Sequence, residues 1–178
     1  MEDLSLHILD IAENSIDAGA GRIEIGITED EACNLFTLII KDDGRGMDAE
    51  TIAKIRDPFF TTKSVRRFGL GIPLLAQAAK ECNGRFLITS APGGGTTVTA
   101  EFELDHIDRK PLGDIGTTMM VLIAGHPEIT FIFSYEKHGL SYTFDSSVVS
   151  RELEGIPINL PDVLQLIRDD INEGVRGN

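Results

Sequence analysis

Four short stretches of this chain combine residue types and spacings that can do chemistry. His7, Asp10, Asn14 and Asp17 lie three or four residues apart, so on a helix they stack on one face. A solvated face is the ordinary account of such a set. A neutral, short Asn14 among carboxylates also suits a magnesium ligand through its amide oxygen, next to a carboxylate able to orient or deprotonate a nucleophile. The second stretch, Asp42-Asp43-Gly44-Arg45-Gly46, directly follows an apolar run. Its glycines lack Cβ atoms, so a flat ring can approach the backbone. Asp42 can accept a hydrogen bond from an exocyclic amine, which adenine has and guanine replaces with a carbonyl oxygen; one carboxylate therefore tells them apart.

In the third stretch Lys63, Arg66 and Arg67 run into Gly69-Leu70-Gly71 at an expected helix start. Free backbone N–H groups, the helix dipole and nearby cations together favour a phosphate chain. The spacing matches neither the P-loop nor the full dinucleotide glycine pattern. The fourth, Gly93-Gly94-Gly95-Thr96-Thr97, reads by itself as a tight hairpin turn.

The elements that must position these residues follow from periodicity. A helix is expected over 3–18, with Leu4, Ile8, Leu9, Ile11, Ala12 and Ile16 on one arc and His7, Asp10, Glu13, Asn14 and Asp17 on the other. Strands are expected over 22–28, 35–40, 85–90 and 96–104, a short helix capped by Asp48 over 48–55, and a helix from Ile72-Pro73 to Asn83-Gly84. Beyond Asp105 the pattern predicts a helix after Asp114, a hairpin over 129–135 and 140–144, and two short helices after Ser146-Ser147 and Pro161-Asp162. The segment near 105–111 is the expected boundary.

Composition narrows the partners. With 178 residues, 42% hydrophobic and 25% charged, the chain can bury a core of useful size. Acidic residues outnumber basic ones 29 to 16, a formal charge of -13 that repels polyanions and speaks against nucleic acid and anionic membrane. Both halves share the deficit, so the local cluster of Lys63, Arg66 and Arg67 is conspicuous. Cys33 and Cys82 form neither a disulfide framework nor a metal spacing. No signal-peptide pattern opens the sequence and no apolar run reaches the roughly 18 residues that span a bilayer. A cytoplasmic location is expected.

Taken in order, the four stretches resemble the ATP-binding domain of the GHKL superfamily, which includes gyrase B subunits, Hsp90 chaperones, histidine kinases and MutL proteins. Glu13-Asn14-Ser15-Ile16-Asp17-Ala18-Gly19-Ala20 is similar to the N box in its MutL form, and Asp42-x-Gly44-x-Gly46 to the first glycine box. Asp57-Pro58-Phe59-Phe60-Thr61-Thr62-Lys63 resembles the histidine-kinase F box, and Gly69-Leu70-Gly71-Ile72 the second glycine box. Each motif is degenerate, but their order and spacing are specific. The resemblance implies an α/β two-layer sandwich of Bergerat type, helices on one face of a mixed sheet, over residues 1–104. A small αββα-like appendage is expected over 105–178, as a partner-binding region.

By the same resemblance Asn14 would ligate Mg²⁺, Asp42 would bind the adenine amine of ATP, and Gly44, Gly46 and Met47 would line the base. Lys63, Arg67, Gly69, Leu70 and Gly71 would hold the phosphate end, and Thr97 would contact the adenine side. The position that carries glutamate as general base in ATP-hydrolysing relatives is Asp10 here, one methylene shorter; Glu13 is the weaker alternative. Residues 105–178 do not resemble the domain that supplies a phosphate-binding lysine in MutL and gyrase, although Lys137 at a hairpin turn could reach a nucleotide. Three readings stay open. The preferred one is a histidine kinase-like protein whose phosphoacceptor is another protein, because no phosphoaccepting hairpin precedes the first helix. The others are an ATPase switch that closes a homodimer, and a non-catalytic binding module of anti-sigma type.

Overall fold

The computed structural model describes residues 3–56 and 71–177. Six strands form one sheet in the order β3-β4-β2-β1-β5-β6, where β1 is Arg22–Asp30, β2 Leu35–Asp42, β3 Arg85–Ser90, β4 Thr96–Glu103, β5 Thr130–Lys137 and β6 Leu140–Asp145. All neighbours are antiparallel except β1 and β5, which run parallel, so the sheet is mixed as expected. Alternation sets the layers. Ile23, Ile25 and Ile27, Phe36, Leu38 and Ile40, Val98, Ala100 and Phe102, and Phe131, Phe133 and Tyr135 all turn to one buried face. The intervening residues, among them Thr37, Ile39, Leu87 and Thr99, line the opposite, uncovered face.

Helices cover the buried face along the strand order. Helix α3 (Gly71–Glu81) packs on β3 and β4, and α1 (Leu4–Asp17) on β2 and β1. Helix α4 (Ile115–Gly125) lies against α1 and α6 (Pro161–Arg176) against α4 and β6. Two shorter helices, α2 (Ala49–Arg56) and α5 (Ser146–Glu152), complete the set among the described residues. The expected caps are in place: Asp48 accepts from the Thr51 N–H at 2.8 Å, and Asp114 from the Thr117 N–H at 2.9 Å. No helix among the described residues is long and apolar enough to cross a membrane.

Residues 105–177 carry the expected helix, hairpin and helices, and the sheet and its core continue across residue 104. Strand β5 pairs with β1 from Arg22↔Thr130 to Glu29↔Lys137, and Phe131 and Phe133 are fully buried beside Ile23 and Ile25. The connecting segment is pinned rather than loose. Asn34 and Asp105 exchange hydrogen bonds at 2.6 and 3.1 Å, and the Pro111 and Leu112 carbonyls accept from the first α1 amides, Leu4 and Ser5, at 2.9 Å each. The last helix corrects an expectation: α6 has 16 residues, because Leu164, Ile167 and Ile171 continue one buried stripe through it.

His7 also departs from the sequence reading. Expected on the polar arc of α1, it is 2% exposed, and neither ring nitrogen has a hydrogen-bond partner among the described residues. Burial and the charge of Lys110 hold its pKa below the ordinary 6.5, against the opposing pull of Asp10 and Asp3. The folded state therefore takes up this proton less readily than the unfolded chain. Stability from His7 is complete above pH 6.5 and declines as pH falls below it. Urea denaturation of wild type should show this loss as pH falls below 6.5, whereas His7→Phe should flatten that dependence; an unchanged slope would contradict the assignment.

Candidate functional site

At the end of the sheet where β2 finishes, the buried face opens into a small cavity under α1. Its walls are Ile11, Asn14, Ser15 and Ala18 of α1, Ile40 and Asp42 of β2, and Thr96 and Val98 of β4. Arg45, Gly46 and Met47 of the loop after β2 close one side, and Ile72 of α3 another. The apolar walls suit a flat, weakly polar group. The polar atoms are few and convergent.

Asp42 is the centre of these. It is 7% exposed, and three donors from three parts of the chain hold it. The Ser15 hydroxyl donates to Oδ2 at 2.7 Å, while the Gly44 and Thr96 N–H groups donate to Oδ1 at 2.9 and 3.2 Å. Two N–H donors occupy the lone pairs of Oδ1, and one hydroxyl takes half the capacity of Oδ2. Oδ2 thus keeps one acceptor site for a donor entering the cavity.

The loop after β2 and the turn between β3 and β4 are stitched together around this carboxylate. The Gly93 N–H donates to the Arg45 carbonyl at 2.7 Å and the Met47 N–H to Ser90 Oγ at 2.8 Å. Gly46 has a φ of +67°, and a Cβ there would stand 1.9 Å from the Ala91 carbonyl oxygen. A Cβ on Gly95 would likewise meet the Asp42 carbonyl at 2.0 Å. The glycine-rich turn, which taken by itself reads as a tight hairpin turn, is thus the buttress of the first glycine loop.

Farther along α1, Asn14 and Asp10 succeed each other by one turn toward α3. Gly71, the first residue of α3, lies so close to α1 that a Cβ would come within 2.7 Å of the Asp10 Cβ. The exposed Asp10 carboxyl therefore stands at the N-terminal end of α3, where the helix dipole favours anions. Among the described residues no group of three His, Cys, Asp or Glu side chains gathers to hold a metal ion. Asn14 borders the cavity, and its side chain carries one neutral amide oxygen. That single donor fits an ion that takes most of its shell from phosphate and water, as magnesium does.

Of the expected site residues, Asn14, Asp42, Gly46 and Met47 border the cavity, and Asp10 meets Gly71 at the start of α3, outside the cavity walls. Gly44 is displaced from its expected role: it packs against Ala18, where a Cβ would be 3.0 Å from the carbonyl oxygen, and its N–H serves Asp42. Glu13 is exposed and lies outside the cavity walls. Thr97 faces the uncovered side of the sheet beside Lys41, because strand alternation gives the cavity to Thr96 instead. Lys137 pairs with Glu29 at 3.2 Å, at the end of β1 opposite the Ile23↔Asp42 rung and so about 20 Å away along the strand. Lys63, Arg67, Gly69 and Leu70, with the F-box stretch, lie outside the described residues. Ser15, Ser90, Arg45 and Thr96 were missed. A serine in the apolar stripe Leu4, Ile8, Ile11 was a usable signal, since a hydroxyl there requires a partner.

Comparison with known proteins bears on the family and the fold. The sequence pattern of the histidine kinase-, DNA gyrase B- and HSP90-like ATPases matches residues 2–106. The sensor histidine kinase YxdK of Bacillus subtilis is 31% identical over 106 residues, 56% of this chain and 32% of the kinase. The signal transduction histidine-protein kinase AtoS of Escherichia coli is 36% identical over 93 residues, 52% of this chain and 15% of the kinase. The chain thus spans less than a third of either curated relative. Among solved structures, the Aquifex aeolicus MutL ATPase domain complexed with ADP superposes with a TM-score of 0.53 at 14% identity, over 86% of this chain and 68% of that one. At that identity the likeness concerns the fold.

The stitching makes two left-handed glycines unequal. Gly46→Ala must bear a left-handed backbone, about 1–2 kcal/mol, and a backbone collision besides. Gly93→Ala has a φ of +72° but open space around its Cβ, so only the first cost applies. Urea denaturation should find Gly46→Ala clearly the more destabilised; equal losses would refute the close packing of the two loops.

Proposed function

This chain belongs to the histidine kinase-, DNA gyrase B- and HSP90-like ATPase family, and from that premise we propose that it binds ATP with Mg²⁺ and transfers the γ-phosphate to a separate protein. The observation that carries the nucleotide reading is Asp42: a buried carboxyl with one acceptor position left, at the apolar end of a cavity bounded by Gly46 and Met47. The adenine amine satisfies that position, and the 6-oxo group of guanine repels it. Asn14 holds Mg²⁺, which when bound offsets the charge of the phosphate oxygens. In this reading the phosphate chain extends toward the N-terminal end of α3, whose dipole favours anions.

Support for transfer comes from the histidine kinases that the ATP-binding segment resembles. Residues 105–178, with the acidic surface they add, serve in this reading as the partner-binding region. A cytoplasmic place in signalling accords with it. A second reading has its own observation. Asp10 is brought against Gly71 by the close approach of α3 to α1, and so stands beside the phosphate end with its carboxyl exposed. There it can deprotonate water, making the protein an ATPase switch.

ATP with Mg²⁺ should raise the melting temperature by mass action, GTP much less, and Asp42→Asn should abolish the ATP shift. Equal shifts from both nucleotides would refute the role of Asp42. With γ-labelled ATP, label should move to a protein co-purified from the same cell. Label found only in free phosphate would overturn transfer in favour of hydrolysis, and Asp10→Asn should then stop release while ATP binding persists.

A further inference from the structure

The side chains of Ser90, Thr96 and Asp42 occupy adjacent positions on one rung of the sheet, in the registers Ser90↔Thr96 and Asp42↔Thr96. Only Thr96 and Asp42 reach the cavity; Ser90 stands behind them. Ser90 Oγ has three neighbours: the Met47 N–H at 2.8 Å, the Gly95 carbonyl at 2.7 Å and Thr96 Oγ1 at 3.0 Å. A hydroxyl has one proton and two lone pairs. The Met47 N–H can only donate, so it takes one lone pair. The Gly95 carbonyl can only accept, so it takes the proton. The remaining lone pair of Ser90 must then receive the proton of Thr96.

That assignment has a consequence for the cavity. With its proton committed to Ser90, the Thr96 hydroxyl has only lone pairs left for a bound group. It stands next to Asp42, whose remaining capacity is also an acceptor. We propose that Ser90 is a specificity-determining positioning residue: by fixing the Thr96 proton it makes the cavity rim a double acceptor, selective for a purine with an amino group at position 6 over one with an oxo group. A freely rotating Thr96 hydroxyl could donate to an oxo group and blunt the discrimination. Through the Met47 N–H the same serine sets the position of the loop that borders the base. This inference rests on the reading of the cavity as an adenine site and deepens it.

The test uses ATP and inosine triphosphate, its 6-oxo counterpart, with dissociation constants measured by calorimetry on the full chain. Wild type should favour ATP. Ser90→Ala should reduce the ATP-to-inosine triphosphate preference about fivefold, the weight of one hydrogen bond, and Ser90→Thr should restore it. A folded Ser90→Ala protein with a preference unchanged within about twofold would overturn the proposal. Thr96→Val, close in shape and lacking the hydroxyl, is the second arm should Ser90→Ala not fold; it too must lower the preference, and an unchanged value would overturn the proposal equally. Asp42→Asn is measured alongside. If ATP binding survives that change intact, the adenine reading itself falls, an outcome distinct from failure of the hydroxyl pair.

Discussion

A carboxyl group has to be kept at the end of an apolar sheet face, and much of the structure follows from that constraint. Burial of Asp42 without partners would cost several kcal/mol. Its donors come from the last turn of α1, from the loop after β2 and from the start of β4. None of the three is near the others in the unfolded chain. The carboxyl can be satisfied only when helix, loop and hairpin are all in place, so the condition for folding this corner and the condition for forming the pocket are the same. The glycines at 46 and 95 serve this corner as well, by admitting backbone where side chains would hold the loops apart.

Much of this was legible beforehand. Strand alternation and helix caps placed the elements, since both depend on local sequence. The motif residues Asn14, Asp42 and Gly46 arrived together because spacing on one helix and one strand end leaves little freedom. Other assignments required long-range information. Periodicity ranks the faces of α1 but does not reveal how much of its circumference is covered; the connecting segment and α4 extend that cover, and His7 disappears beneath it. Thr96 and Thr97 are indistinguishable until the register decides which faces the helices, a choice that one residue reverses. Lys137 lies at a turn, as expected, but the parallel register places that turn at the wrong end of the sheet. Ser90 could not be singled out at all, since its importance lies wholly in the three groups that meet it.

The helix bearing Asp10 and Asn14 is held from both sides. Its apolar stripe packs on β1 and β2, and its first amides are capped by carbonyls of the segment that leads to α4. Helix α4 packs in turn on α6. The elements after residue 104 therefore support the site helix directly, and their contribution to the cavity is mechanical even though no side chain among its walls comes from them.

The parallel pairing of β1 with β5 also bears on how the molecule is made. Arg22 and Ile23 find their partners in Thr130 and Phe131, after both hairpins of the first part have been synthesised. Closing so long a loop is slow relative to forming hairpins. During translation, β1 must wait as an open edge with its isoleucines prepared for burial, while β2 and β4 are already available to pair. The nascent sheet is thus most vulnerable to association with other chains in that interval, and chaperone dependence should be concentrated there rather than in the completed protein.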